Sequence, residues 1–280
     1  MIGGTTAIAL LLLTAAYTYH FLYWDFDDTY ITFRIVRNLL SGDGWAFNVG
    51  EAHNASTSVL NTVVVAVAAP LFSSEIPFAA HMLAGVWLSV TAVAFGWIFW
   101  QRFDAWVALG AGIALIVTLG DNILWGLETH LFFALLGIFV VLAHRNESAW
   151  ALIGLLTLTR PDALLLAGLR WLREVIRSPW PAGVVGWRDR LRAAWRANAR
   201  GWLIFALVLT PWVIFSLIKF HQIFPDTLSN KMWQGRSGFW GTGPVYLKAL
   251  VGYIGDATPW RLAGYLLALP GWYSSSAIAA

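Results

Sequence analysis

Val59-Leu60-Asn61-Thr62-Val63-Val64-Val65-Ala66-Val67-Ala68-Ala69-Pro70-Leu71-Phe72 is the stretch whose reading decides the topology of this chain. It is apolar apart from Asn61 and Thr62, yet shorter than the roughly 20 residues a helix needs to cross a bilayer. Pro70 falls near its end, and Ser73, Ser74, Glu75 and Pro77 follow. It is either a short span or a helix lying beside the membrane, and the choice sets the side of everything after it.

The charges downstream decide between the two. Residues 77–100 contain no Asp, Glu, Lys or Arg and end at Gln101 and Arg102; further apolar runs cover 105–120, 127–143, 150–159, 163–176 and 202–217. If 59–72 does not cross, Arg102, Arg145 and the segment from Arg173 to Arg200 fall on one side. Asp27, Asp28, Asp43, Glu51, Asp121, Glu128, Asp162 and Asp226 fall on the other. If it crosses, Arg102 and Arg145 oppose the arginine cluster or the span count must change. Basic residues accumulate on the cytoplasmic side, so the juxtamembrane reading is preferred and the acids face outward.

Composition agrees with a polytopic membrane protein. The 280 residues are 59% hydrophobic and 12% charged, with a mean hydropathy of +0.65, outside the usual range of soluble domains. Eighteen tryptophans suit aromatic belts at headgroup level, although a Trp-rich core gives the same count. No cysteine is present, which excludes disulfides, thiolate metal sites and cysteine nucleophiles. Eight of the 18 Lys and Arg residues lie between Arg170 and Arg200.

Upstream of the deciding stretch, residues 1–24 carry no acidic or basic residue except His20 and form an expected first span, uncleaved because no basic segment precedes the apolar run. Residues 25–76 form the first outer loop. Within it Thr29–Ser41 is amphipathic, with Ile31, Phe33, Ile35, Val36, Leu39 and Leu40 on one broad face and Arg34, Arg37, Asn38 and Ser41 on the other. Gly42-Asp43-Gly44 ends it. The remaining expectation is six spans within 77–219, an outer loop over 220–260, with a weakly apolar piece at 245–254, and a last span over 261–280. The fold class is therefore an all-α bundle of about eight spans, with an amphipathic juxtamembrane helix in the first outer loop.

Four segments on the outer side carry chemistry. Asp27 and Asp28 stand where the first span meets water, a depth at which charge is costly unless paired or used. Gly126-Leu127-Glu128-Thr129-His130 opens a span, Thr159-Arg160-Pro161-Asp162 turns between two, and Asn230-Lys231 sits in the long late loop. Carboxylates able to take a proton from a hydroxyl, with cations able to stabilise a departing phosphate, suit group transfer from a lipid phosphate. Each also has a plainer role: Asp27, Asp28 or Glu128 can cap a helix, Arg160 and Asp162 can pair across Pro161, and Lys231 can be an ordinary loop lysine. The six histidines show no zinc spacing. Adjacent Asp27 and Asp28 can hold a divalent cation, but two ligands do not specify one. Gly241-Thr242-Gly243-Pro244 lacks the Lys-Ser pair of a phosphate loop.

The segment from Asp27 to Glu51, with Asp28, Arg34, Arg37, Asn38, Phe47, Asn48 and Gly50 in it and Thr57-Ser58 beyond, resembles the first outer loop of GT-C glycosyltransferases, closest to the group of mycobacterial terminal β-(1→2) arabinofuranosyltransferases. Gly126 to Thr129, Thr159 to Asp162 and Phe224 to Lys231 resemble later signatures in the same order. The resemblance implies an outward-facing catalytic centre in a bacterial plasma membrane and a polyprenyl-phosphate sugar donor. It also implies inverting transfer to a cell-envelope glycan or lipid acceptor, with no nucleic-acid partner. It makes Asp27 the base, with Asp28 and Glu128 as catalytic helpers. The second acid fits the pattern of the lipid A aminoarabinose transferases and protein O-mannosyltransferases. Arg34, Arg37, His53, Asn54, Thr57, Ser58, Arg160, Asp162, Asn230 and Lys231 become the substrate-binding candidates.

The chain departs from that pattern in two places. Ala52-His53-Asn54-Ala55 stands where relatives carry an acidic or aromatic residue, and the further spans and outer C-terminal domain are not in the sequence, so a truncated relative or a fragment is expected. A transporter or flippase of polyprenyl-linked glycan is the competing function, although its ionisable groups belong near mid-membrane. A scaffold subunit of an envelope assembly is a third.

Overall fold

The computed structural model describes residues 2–24, 26–72, 75–120, 125–144, 149–177, 186–226, 230 and 233, without the side chains at 2, 3, 144, 174 and 177. Backbone contacts divide the chain into Met1–Thr227 and Leu228–Ala280. In the second unit only Asn230 and Trp233 are described, both exposed. Lys231, Asp121, Arg145, Asp25 and the expected pieces at 245–254 and 261–280 lie outside the described residues.

The first unit is helical, with no strand among the described residues. In chain order its helices are α1 (Ile2–Phe21), α2 (Thr29–Leu40), α3 (Val59–Phe72), α4 (Ile76–Arg102), α5 (Ala105–Leu119), α6 (Thr129–His144), α7 (Trp150–Thr159), α8 (Leu164–Arg177), α9 (Trp187–Ala197) and α10 (Ala199–Phe220). A single 3-10 turn, Pro161–Ala163, joins α7 to α8. Among the described residues two helices, α4 and α10, are long and apolar enough to cross a membrane; α3, α5, α6 and α7 are apolar but shorter. The expected run at 163–176 is α8, and with Arg170, Arg173, Glu174 and Arg177 it falls outside that apolar set.

α4 is the central helix, packing on α1, α3, α5 and α6. Leu10 of α1 is buried where α4 and α5 present Gly96 and Gly112; a Cβ on Gly112 would meet Leu10 Cδ2 at 2.6 Å, so the Leu10 side chain would have to shift to admit one. Thr14 and Ser89 add a hydroxyl–hydroxyl bond of 2.7 Å between α1 and α4. The same core takes Phe21, Leu88, Ile116 and Trp125. Trp125, fully buried, stacks on Phe21 at 5.7 Å and donates Nε1–H to the Gly120 carbonyl.

α2 follows its sequence pattern in the middle and departs from it at its last residue. Phe33, Ile35 and Val36 are buried, whereas Leu40 of the expected apolar face is 47% exposed. Gly42, at φ +84°, stops the helix as expected. The Asp43 N–H reaches back to the Asn38 carbonyl and the Gly42 N–H to that of Leu39, the paired bonds of a Schellman ending. Beyond α2, Asn38 Nδ2 donates to the Ala46 carbonyl at 2.8 Å and holds the loop against the helix.

α3, the stretch on which the topology depends, packs on α2 as well as on α4 and α7. Val65 packs with Phe33 and Val36 in a cluster that also takes Ile76. Val59 joins the neighbouring cluster of Ile35, Trp45 and Phe220. Residues flanking both ends of α3 therefore return to the same short helix.

Candidate functional site

Two charged assemblies form around the N-terminal ends of α2 and α6. The first is a cleft of about 1120 Å³ beside α2, lined by Asp27, Tyr30, Arg34, Arg37, Phe47 and Glu75 among others. Positions 27, 30, 34, 37 and 41 recur at helical spacing, so one stripe of α2 forms a wall with an acid at its start and two arginines further along. Glu75, the residue before α4, and Phe47 line it as well.

The carboxylates at the start of α2 do not cap it. Asp28 is at φ −61° and ψ −25°, already helical, and its side chain makes no capping bond, because a cap requires the extended backbone that carries the oxygen back over the first amides. Asp27 Oδ1 accepts only the N–H of its neighbour Asp28, at 2.9 Å. Thr29 secures the turn instead, donating Oγ1–H and N–H to the Phe26 carbonyl. Arg34 lies 4.7 Å over the Phe47 ring, which holds the guanidinium in place, and its donors make no hydrogen bond among the described residues. Arg37 has no ion pair among the described residues.

The second assembly is self-contained. Arg160 Nη1 lies 3.6 Å from Glu128 Oε1, and its Nε lies 3.3 Å from Asp162 Oδ1. The pairing expected across Pro161 is present, and Glu128 joins it. The guanidinium also lies 5.8 Å over Phe132. Next to Asp162, an apolar groove of about 450 Å³ runs along Leu164, Leu165 and Leu169.

Gly126 joins the two assemblies. At φ +79° it adopts a left-handed turn, and a Cβ there would meet Thr29 Cγ2 at 3.1 Å, Phe33 Cζ at 3.3 Å and His81 Nε2 at 3.4 Å. The segment leading to Glu128 thus presses directly on the first turn of α2, one residue after Asp28. His81, buried on α4, bonds the Leu22 carbonyl through Nδ1 at 2.6 Å and fixes the approach of α1 to the same point.

The rest of the first loop is held by a residue not among the sequence candidates. Asp226 Oδ2 accepts the Asn54 N–H at 2.8 Å, and the Asp226 N–H returns to the Asn54 carbonyl at 3.0 Å. Gln222 donates to Oδ1, and exposed His53 stands 3.6 Å from Oδ2. Asn54 and Ser58 are buried, with Asn54 Nδ2 and Oδ1 and Ser58 Oγ lacking hydrogen-bond partners; Thr57 is exposed. None of these candidates lines the cleft; His53 and Asn54 form a clasp with Asp226. Glu75 and Asp226 were the residues missed. Asp226 stands in the outward-side charge count and in the Phe224 to Lys231 stretch, but nothing in the sequence pairs it with residue 54.

Among the described residues no group of three or more His, Asp or Glu side chains is arranged to hold a metal. The chain matches no protein-family profile, no curated protein and no solved structure.

Proposed function

We propose that this chain is a membrane glycosyltransferase of GT-C type, moving a sugar such as arabinofuranose from a polyprenyl-phosphate donor to a glycan or lipid acceptor at the outer membrane face. The observation that carries the reading is the cleft beside α2, which gathers a carboxylate without a structural task and two arginines whose donors make no hydrogen bond among the described residues. Arginine's planar fork suits phosphate oxygens. Charges left unneutralised beside apolar helices are costly, so a cleft that keeps them fits a charged ligand.

In this mechanism the acceptor hydroxyl gives its proton to Asp27 as its oxygen bonds to the anomeric carbon. The bond from that carbon to the donor's phosphate oxygen breaks, and its electron pair leaves with the phosphate. Arg34 and Arg37 offset the charge that develops there. Attack opposite the leaving group inverts the centre. Glu128 acts through Arg160 and the Gly126 turn, bracing the base rather than touching the proton. Arg160, shared between two carboxylates, is a weaker phosphate ligand than the cleft arginines.

The test is radiolabel transfer from defined polyprenyl-phosphate sugars by purified protein, with and without chelator. Transfer that Asp27→Asn abolishes supports the reading. Wild-type transfer by that variant removes Asp27 as the base, and translocation of intact donor without transfer replaces the enzyme with a flippase.

A further inference from the structure

α9 carries three stripes. Arg190 and Ala194 face the protein, with Arg190 Nη2 donating to the Ile176 carbonyl at 2.7 Å near the end of α8. Trp187, Leu191 and Trp195, four residues apart, are 63%, 38% and 54% exposed. Arg188, Arg192 and Arg196 follow each of them by one residue, which places an exposed basic stripe about 100° round the helix from the apolar one. One acid, Asp189, lies on the helix, 3.6 Å from Arg192.

The mounting of α9 is as informative as its faces. A single residue, Asn198, separates it from α10, one of the two helices long enough to span a membrane. Asn198 Nδ2 donates to the Ala194 carbonyl and holds the joint, and Trp195 stacks on Trp202 of α10 at 5.0 Å and 20°. If α10 enters a bilayer at its first turn, α9 lies at headgroup level. An apolar stripe of tryptophans beside a row of arginines is then complementary to that layer, the rings reaching the acyl boundary and the guanidinia the phosphates.

We infer that α9 is a docking helix for an anionic phospholipid surface, seating the chain by the side opposite to the Asp27 cleft in the charge arrangement. This rests on the membrane reading of α10 given above. The occupant is lipid rather than a second protein because basic and apolar stripes are adjacent along the whole helix and end beside a span.

The chain has no cysteine, so single-cysteine variants accept one spin label each without background. Leu191→Cys, Ala197→Cys at the exposed C-terminal end of α9, and exposed Leu207→Cys within α10 are labelled in the full chain. Each is reconstituted in bilayers of phosphatidylcholine with or without phosphatidylglycerol. Collision rates with oxygen and with a water-soluble nickel chelate give the depth of each label. The expected result is lipid exposure at 207 in both bilayers, lipid exposure at 191 deepened by phosphatidylglycerol, and water exposure at 197. An arginine near an anionic surface contributes roughly a fivefold factor, so Arg188→Gln, Arg192→Gln and Arg196→Gln combined return label 191 to its value in phosphatidylcholine. A lipid-exposed 207 with 191 and 197 equally wet overturns the docking helix and leaves the membrane reading standing. A wet 207 overturns the membrane reading itself. Protection of 191 that rises with protein concentration, indifferent to lipid charge, assigns the face to a second copy and overturns the inference.

Discussion

The cleft beside α2 and the cluster of Glu128, Arg160 and Asp162 draw on the same residue types, carboxylates and arginines at the ends of apolar helices. In the cluster one guanidinium faces two carboxylates at 3.3 and 3.6 Å, and the charges answer one another. In the cleft Asp27 accepts one local amide while Arg34 rests on an aromatic face, and neither Asp27, Arg34 nor Arg37 forms an ion pair among the described residues. Matching charges inside a protein finish an electrostatic problem; unmatched ones hand it to a ligand. The difference separates bracing from chemistry more sharply than residue identity does.

The largest expected effect lies on the cleft side. Asp27→Asn should lower the transfer rate by about 10²- to 10⁴-fold, the range for losing a general base, without moving the thermal midpoint, since the carboxylate caps nothing. Glu128→Gln in the same assay should reduce the rate far less and lower the midpoint. Equal rate losses would merge the two assemblies into one catalytic unit. Next come Arg34→Gln and Arg37→Gln. A charge-assisted hydrogen bond contributes roughly 1.5–3 kcal/mol, so each change should raise the KM for lipid-phosphate donor about ten- to a hundredfold. An effect on kcat alone would place these arginines at the transition state only.

Gly126→Ala tests the joint between the assemblies. The left-handed turn costs an alanine roughly 1–2 kcal/mol, and its Cβ would press on Thr29 and Phe33. The expected outcome is a lower thermal midpoint together with a rate loss passed to Asp27 through the first turn of α2. A loss of stability with an unchanged rate would show that the two assemblies work independently.

Local features were legible in the sequence because they depend on neighbours along the chain. The α2 periodicity, its stop at Gly42, the apolar α4 and the Arg160–Asp162 pairing all follow from spacing of a few residues. The expected cap was not observed, because the helical backbone at Asp28 turns the side chain away from the amides it would cap. The meeting of Asp226 with Asn54 and of Glu128 with Arg160 depends on how α10 and α6 fold back, which no local pattern encodes. Several short helices also read as spans from apolarity alone, although α7 at 10 residues is half the length that a crossing requires.

The smallest expected effect sits at the exposed edge of the paired cluster. Asp162 is 62% exposed at its side chain and meets Arg160 over only two residues of chain, at 3.3 Å. Exposed pairs contribute about 0–1 kcal/mol because water screens them and the side chains lose freedom in forming them. Asp162→Asn should therefore shift the thermal midpoint by no more than a few degrees, and Arg160 should keep its contact with Glu128, whose side chain is 20% exposed. The informative readout is the double change with Glu128→Gln. If the cluster is a brace, removing both carboxylates costs more stability than the single losses added together, because Arg160 is then left with no counter-charge. If the double variant instead keeps its stability and gains affinity for the lipid-phosphate donor, Arg160 has been released to act as the cleft arginines do, and the two assemblies differ only in which anion occupies them.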